Sequence, residues 1–255
     1  MTRLTYEQYC DAIEAVDARF VELMAGSDLE TPVPTCPGWT LADLTTHHGT
    51  THRWMEHLVR HRVTERVWSR DVPLDLPQDT AAYPAWLAES AELSLRTLRS
   101  ADPDAPNWTH GADQHVRFFP RRLLCEAIIH LTDAELALGR TPHITPDIAA
   151  DGIDEFLENL PYYPWIAEPV SRLNRDGETL RFSSTDTDDG WLITLGDGCT
   201  WETGVGDAHA TVAVHGSSGD LLLLIYGRLR PGDAERFIVT GDGELLSSWL
   251  GATAL

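Results

Sequence analysis

The sequence predicts an α+β protein, in which a four-helix bundle is followed by a smaller domain of helices and strands. Two observations support this fold class. Apolar residues recur at helical spacing through most of the first 140 residues, whereas the alternating patterns typical of strands occur in the second half. The segment TPHITP marks the change. We therefore place a boundary within residues 141–150 and predict domains of residues 1–145 and 146–255.

The composition is that of a globular protein with a strong acidic excess. Of the 255 residues, 42% are hydrophobic, which is enough for a sizeable core. The chain has 19 basic and 40 acidic residues, a net charge of -21. This charge disfavours nucleic acid and anionic membranes as partners, because both bind basic patches. We expect neither partner.

The N-terminal segment and the cysteines bear on location. The segment MTRLTYEQYCDAIEAV carries charges where a signal peptide needs an apolar run, and no window reaches about 18 uncharged apolar residues. The 4 cysteines are scattered without a C-x-x-C pair, so neither a disulfide framework nor a zinc knuckle is indicated. We predict a cytoplasmic protein.

Two helices with clear start signals open the chain. Thr5 and Gln8 have the spacing of a capping box, and apolar residues recur at helical spacing up to about Ala25. The proline-rich segment TPVPTCPGW keeps the chain extended. A second amphipathic helix, TLADLTTHHGTTHRWMEHLV, begins at about Thr40 and contains several histidines.

Two further helices complete the predicted bundle. The third begins near Pro84, a residue suited to a first helical turn. The fourth is PRRLLCEAIIHLTDAELALGR, from Pro120 to Arg140, with Gly139 near its end. Four antiparallel helices over this length form a bundle.

In the second half, the predicted helices and strands are mixed. A helix at about residues 151–160 precedes the strands TLRFSST and GWLITL, which are separated by the turn-forming DTDDG. Further predicted strands are ATVAVHG and RFIVTG, and further predicted helices are GSSGDLLLLIYGRL and GELLSSWLG. This order indicates an α+β domain.

The fourth helix carries the strongest chemical pattern. Glu126, His130 and Asp133 are separated by four and three residues, so they share one helix face among apolar neighbours. A carboxylate and an imidazole in that setting are typical of two metal ligands in a helix bundle. A catalytic zinc site usually needs a third protein ligand.

The second helix offers more histidines than spacing alone can choose among. His47 and His48 cannot both serve, because consecutive helical residues diverge by about 100°. On spacing, His48 and His52, four residues apart, are as good a pair of metal ligands as any other. The spacing therefore leaves the third ligand open.

Three short motifs follow one another along the chain. In order, they are Pro37-Gly38-Trp39 with a following Leu-x-x-His that ends at His47, the pair Glu126 and His130 with Asp133, and Gly227 with Arg228 after an apolar helix. In these motifs the sequence resembles the mycothiol-dependent maleylpyruvate isomerase family, over nearly the whole chain. The resemblance implies a DinB-like metal-binding four-helix bundle followed by a smaller, sterol-carrier-like α+β domain.

The resemblance also implies the residues of a site. It selects His47 over His48, and the implied ligands of a divalent metal such as Zn²⁺ are His47, Glu126 and His130. Arg228 is implied as a catalytic residue, and its planar, permanently charged guanidinium suits a substrate carboxylate. Asp133 is expected to hold the second nitrogen of a ligand imidazole or to orient a water at the metal.

The implied chemistry uses a low-molecular-weight thiol, mycothiol in the isomerase branch, as cosubstrate. Metal coordination deprotonates the thiol, and the thiolate attacks an electrophilic small molecule. In the isomerase branch it adds to the cis double bond of maleylpyruvate, the bond rotates, and elimination releases fumarylpyruvate. Without elimination the enzyme is a thiol S-transferase. The rival function is a non-catalytic metal- or ligand-binding protein on the same bundle scaffold.

Other polar residues near these motifs have simpler interpretations. The side chains expected at the surface or in solvent are His52, His57, His61, Arg121 and Arg122. Cys125 is expected in the core rather than as a nucleophile. For Arg228, a structural ion pair is as good an interpretation as a catalytic role.

Overall fold

The structure is a computed structural model that describes residues 3–196, 198–206 and 208–254. The chain divides after Pro142 into two units. The helices of the first unit are α1 Tyr6–Ala25, α2 Leu41–Arg60, α3 Tyr83–Ser100 and α4 Phe118–Ala137. Among the described residues, every helix is too short or too polar to span a lipid bilayer.

The second unit combines helices with one sheet. Its helices are α5 Pro146–Asn159, α6 Pro164–Ser171, α7 Ser218–Ile225 and α8 Gly243–Thr253. Its strands are β1 Thr179–Ser184, β2 Gly190–Gly196, β3 Gly198–Thr203, β4 Val212–Gly216 and β5 Ile238–Gly241. The predicted α+β fold class is confirmed.

Side-chain caps fix where α1 and α2 begin. The Thr5 side chain accepts from the Gln8 backbone N–H, and the Gln8 side chain accepts from the Thr5 N–H at 2.8 Å. Thr40 and Asp43 form the same reciprocal arrangement at the start of α2, where the Thr40 N–H donates to Asp43 Oδ2 at 2.9 Å. The capping box predicted for α1 is confirmed, and the second one sets the register of the α2 histidines.

The bundle core is apolar and draws on all four helices. Phe20, Leu44, Leu87 and Ala134, one from each helix, are fully buried in one cluster. Burying a side chain such as Phe20 or Leu44 contributes roughly 1.5–3 kcal/mol. The core therefore holds each helix at a fixed rotation and determines which side chains face each other across the bundle.

Gly49 lets α2 approach α3 closely. A Cβ atom at this position would lie 2.2 Å from Cζ3 of Trp86 on α3. The Trp86 indole N–H donates to the Leu74 carbonyl at 2.9 Å, which holds the ring in place. Because Gly49 lies two residues beyond His47, this contact also constrains the rotation of the histidine-bearing segment.

A five-stranded sheet of order β3-β2-β1-β4-β5 forms the centre of the second unit. β1 pairs antiparallel with β2 and parallel with β4, and β5 pairs antiparallel with β4. Phe182 on β1 and Trp249 on α8 are fully buried, with 5.6 Å between their ring centroids. The strands predicted at β1, β2, β4 and β5 and the helices predicted at α7 and α8 are confirmed.

Three features of the second unit differ from the sequence prediction. α5 begins at Pro146 rather than near residue 151, because Thr145 occupies the N-cap position and Pro146 suits the first turn. β3 is not predicted, since its sequence GCTWET has only one large apolar side chain, Trp201. α6 is not predicted because it contains Pro169, and proline normally breaks a helix interior.

We predict that Gly49→Ala destabilises the bundle. The added methyl group overlaps Trp86, and overpacking of a filled interior costs about 1–3 kcal/mol. Gly26→Ala is the matched control, because a Cβ there lies no closer than 3.6 Å to a neighbouring atom. Denaturant unfolding measures both effects. Wild-type stability of the Gly49→Ala protein would contradict the close approach of α2 and α3.

Candidate metal centre

Side chains from α2 and α4 converge within the first unit. The ligand-capable atoms of His47, Glu126 and His130 all lie within 4.8 Å of one another. On α4, Glu126 Oε2 lies 3.3 Å from His130 Nε2. The His47 ring meets the His130 ring edge-on, with 4.7 Å between centroids. The structure thus brings together the three residues that the sequence prediction names as metal ligands.

Asp133 fixes the orientation of the His130 ring. Asp133 is fully buried, and its Oδ2 lies 3.0 Å from His130 Nδ1. Because a carboxylate only accepts, Nδ1 carries the hydrogen and Nε2 is left to face Glu126. Burial lowers the pKa of His130, but its hydrogen bonds with Asp133 and Glu126 raise the pKa by more, so the net shift is upward. The space between the two carboxylates therefore favours positive charge.

Arg122 holds Glu126 as a carboxylate. Arg122 Nη2 donates to Glu126 Oε1 at 2.9 Å, which leaves Oε2 directed at His130. Burial raises the pKa of Glu126, yet Arg122, His130 and His47 together lower it to well below 4.5. Arg121 and Arg122 are both buried. The prediction of solvated arginines is wrong, and for Arg122 the reason is that the carboxylate one turn away needs a cationic partner.

His47 is held as a neutral imidazole. It is partly buried beside Trp39, with 5.1 Å between the ring centroids. Burial lowers the pKa of His47 to about 4, with a further contribution from His130. A neutral imidazole keeps the lone pair that a metal ion binds. Two imidazoles and one carboxylate form a donor set found at catalytic zinc sites, so the residues present fit a zinc ion.

Known family models match both units. A model described as the mycothiol maleylpyruvate isomerase N-terminal domain matches residues 10–135. A model described as the MDMPI C-terminal domain matches residues 147–248. The chain belongs to the mycothiol maleylpyruvate isomerase family. The resemblance seen in the sequence is confirmed.

Solved structures share the fold of this family member. The crystal structure of mycothiol-dependent maleylpyruvate isomerase matches with a TM-score of 0.61 and 14% sequence identity, over 94% of this chain and 96% of that chain. A crystal structure of a histidine-to-alanine mutant of that isomerase matches with a TM-score of 0.63 at the same identity and coverage. At this identity the likeness establishes the fold. Among curated proteins, none matches the sequence.

Cys36 also belongs to the site of this isomerase-family chain, although the sequence pattern does not single it out. The thiol is partly buried and donates to Asp133 Oδ2 at 3.5 Å. Cys36, His130 and Asp133 offer ligand-capable atoms within 4.8 Å of one another. Its position directly before the Pro-Gly-Trp motif is the one signal available in the sequence. The turn that carries this motif therefore contacts the carboxylate that orients His130.

His48 and His52 belong to a different cluster. Both are fully buried, and both lie against Asp17 of α1. The predicted surface position of His52 is wrong, because the face of α2 that carries His48 and His52 packs inside the bundle. His61 is exposed, in agreement with its predicted surface position, and His57 is partly exposed. Cys125 is buried in the core, as predicted.

Arg228 of the family's Gly-Arg motif lies in the second unit, just after α7. Gly227 has a positive φ of 74°, and the Arg228 N–H donates to the Leu223 carbonyl at 2.8 Å, an arrangement typical of a helix C-terminus. The half-buried Arg228 side chain turns back, and its Nη1 donates to the Tyr226 carbonyl at 2.7 Å. The positive φ at the end of α7 therefore explains why a glycine precedes Arg228.

We predict that His47 titrates near pH 4 in the metal-free protein, far below the usual 6.5. Because the folded state disfavours the charged ring, the stability that His47 contributes is complete above pH 6.5 and is lost as the pH falls toward 4. An NMR titration of histidine ring protons after chelator treatment measures the pKa, with the signal assigned by its absence in His47→Gln. A midpoint near 6.5 would contradict the buried position of this ring.

Proposed function

We propose that this family member is a metal-dependent enzyme in which mycothiol or a similar small thiol is the nucleophile. Its second substrate is an electrophilic small molecule, and the reaction is isomerisation or thiol S-transfer. The proposal is carried by one observation, the convergence of a neutral imidazole, an ionised carboxylate and an oriented imidazole at His47, Glu126 and His130. Membership of the family supports it.

The chain's own residues prepare this donor set for a metal. When bound, zinc supplies a Lewis acid that lets a small thiol lose its proton and act as a nucleophile. Arg122 keeps Glu126 ionised, and Asp133 keeps the hydrogen of His130 on Nδ1. Of the two roles expected for Asp133, the 3.0 Å contact with His130 Nδ1 supports that of holding the imidazole. Arg122 and Asp133 act through a ligand and are positioning residues.

The two reaction classes share a first step and differ in the fate of the adduct. The thiolate sulfur forms a bond to one carbon of the substrate's double bond, and the π electrons move onto the conjugated carbonyl. Rotation about the new single bond and expulsion of the thiolate re-form the double bond in the trans geometry and return the thiol unchanged. Delivery of a proton to the adduct gives a stable thioether instead. The first outcome is isomerisation, and the second is S-transfer.

We predict thiol-dependent turnover that requires the His47, Glu126 and His130 set. Zinc-loaded protein is incubated with mycothiol and candidate electrophiles, including maleylpyruvate, and chromatography with mass spectrometry identifies an isomer or a thiol adduct. His47→Ala and His130→Ala are each expected to lower the zinc content by about one ion per chain and to abolish turnover. His61→Ala is the control, because this exposed histidine follows the same helix.

Circular dichroism establishes that these variants remain folded. Folded wild-type protein that takes up no zinc would contradict the proposal, as would full turnover by the folded His130→Ala protein. Zinc uptake without turnover of any thiol and electrophile pair would favour a metal-holding protein without catalysis.

We also propose that Arg228 binds a carboxylate of the second substrate, as the resemblance to the family implies. A guanidinium matches a carboxylate with two parallel N–H bonds and stays charged. The hydrogen bond from Nη1 to the Tyr226 carbonyl fixes one edge of the guanidinium at the end of α7. A lysine at this position cannot make both the carbonyl contact and a paired contact with a carboxylate in the same geometry.

We predict that Arg228→Lys lowers kcat/KM for carboxylated electrophiles by about ten- to hundredfold, since a hydrogen bond to a charged group is worth about 1.5–3 kcal/mol. Uncarboxylated electrophiles should lose much less. Arg230→Lys is the matched control, because Arg230 is exposed and lies two residues further along. Steady-state kinetics with both electrophile classes measures the difference, and equal losses on the two classes would argue against carboxylate recognition.

A further inference from the structure

A second histidine and carboxylate cluster lies inside the helical bundle, on a different face of α2. It consists of Asp17 from α1 with His48 and His52 from α2, and we call it the buried triad. Its members are at most 3% exposed. His48 Nε2 lies 2.8 Å from Asp17 Oδ1, and His52 Nε2 lies 3.3 Å from both Asp17 Oδ1 and His48 Nε2. Three ligand-capable atoms therefore lie within 3.3 Å of one another.

Ser94 on α3 contacts the other ring nitrogen of His52, with 2.6 Å between its hydroxyl oxygen and His52 Nδ1. The same hydroxyl lies 3.0 Å from the Ala91 carbonyl, and when its one hydrogen goes to that carbonyl it accepts from His52 Nδ1. A neutral His52 then presents the lone pair of Nε2 to the triad. Metal-binding histidines commonly have this arrangement, with one nitrogen on the metal and the other in a hydrogen bond.

In the part of the chain that the structure describes, no arginine or lysine side chain pairs with the carboxylate of the triad. Among the described residues, the polar partners of Asp17 are the two imidazoles. Asp17 Oδ2 makes no hydrogen bond, although it lies 3.2 Å from His52 Nε2. With the hydrogen of His52 on Nδ1, the buried carboxylate faces one N–H and one lone pair, which is costly because an ion in a low-dielectric interior needs a compensating charge. That charge is either an additional proton on His52 or a metal cation.

The distances favour the metal cation. Ligand atoms at 2.0–2.1 Å around a tetrahedral zinc ion are separated from one another by about 3.3 Å. Two of the three separations in the triad are 3.3 Å, and the third is 2.8 Å. The short one is the hydrogen bond between His48 Nε2 and Asp17 Oδ1. When a metal takes the place of that hydrogen, the neutral ring of His48 carries its one hydrogen on Nδ1 instead. The triad therefore has the composition and the spacing of a zinc donor set.

A cavity gives this part of the bundle a connection to solvent. It lies between α1 and α3 and has a volume of about 580 Å³. Asp17 lines it together with small and apolar side chains such as Ala18 and Leu95, and charged residues that include Arg96 and Arg99 also line it. We propose that Asp17, His48 and His52 form a second binding site for a divalent metal such as Zn²⁺. This site is separate from the candidate centre formed by His47, Glu126 and His130. This site is independent of the thiol chemistry proposed above.

The test removes two ligands of the other candidate centre, His47 and His130, and asks whether metal binding persists. We expect His47→Ala/His130→Ala protein, equilibrated with Zn²⁺ and then freed of excess metal, to retain about one zinc ion per chain. With Co²⁺ it should show the visible absorption of a tetrahedral site. Asp17→Asn in this background is expected to abolish both signals. Asp11→Asn, at an exposed aspartate on the same helix, is the matched control and should change neither.

Two further measurements cover a variant that fails to fold. Zn²⁺ should raise the Tm of the His47→Ala/His130→Ala protein, because a ligand that binds the folded state stabilises it. Should that protein not fold, the wild type should hold about two zinc ions per chain and Asp17→Asn or His52→Gln about one. Folded His47→Ala/His130→Ala protein without bound metal and without a Tm shift overturns the proposal and assigns the missing charge to a proton on His52. Metal binding that survives both Asp17→Asn and His52→Gln overturns it as well.

Discussion

The candidate metal centre depends on one row of charged groups along α4. Arg122, Glu126, His130 and Asp133 follow one another at intervals of four, four and three residues, with contacts of 2.9, 3.3 and 3.0 Å between successive members. On a buried helix face an unpaired charge costs several kcal/mol, so each member depends on its neighbours. The alternation of cation, carboxylate, imidazole and carboxylate keeps the two acidic groups ionised on either side of His130. Positive charge is favoured there before any ligand binds.

His47, the ligand candidate on α2, is positioned by residues that take no part in metal binding. The capping box at Thr40 fixes the start of α2, and His47 lies seven residues, about two turns, beyond it. Gly49 then permits the close contact with Trp86 that locks the helix against α3. A shift in the start of α2 or a wider separation from α3 would rotate His47 away from α4. The geometry of the site is therefore built into the packing of the bundle.

Features that depend on local sequence signals, such as the helix positions, can be predicted from the sequence. Features that depend on which helix faces pack together cannot. Capping residues and helical periodicity give the first four helices, and the i, i+4 spacing places Glu126 beside His130. Spacing alone does not choose between His47 and His48, and the choice of His47 rests on the family resemblance. The burial of His52 and Arg122 escapes prediction because polarity favours the surface, whereas each finds a polar partner supplied by another turn or another helix. Only the three-dimensional arrangement identifies those partners.

Consecutive histidines on α2 face different environments, and this difference separates the two clusters. Because adjacent helical residues diverge by about 100°, His47 meets α4 while His48 meets Asp17 on α1. On the α4 side, Arg122 already supplies a cationic partner to Glu126. On the α1 side, Asp17 faces only imidazoles among the described residues. A cation at the buried triad would therefore stabilise the bundle interior, whereas one at the α4 set would enter a site whose geometry the protein already maintains.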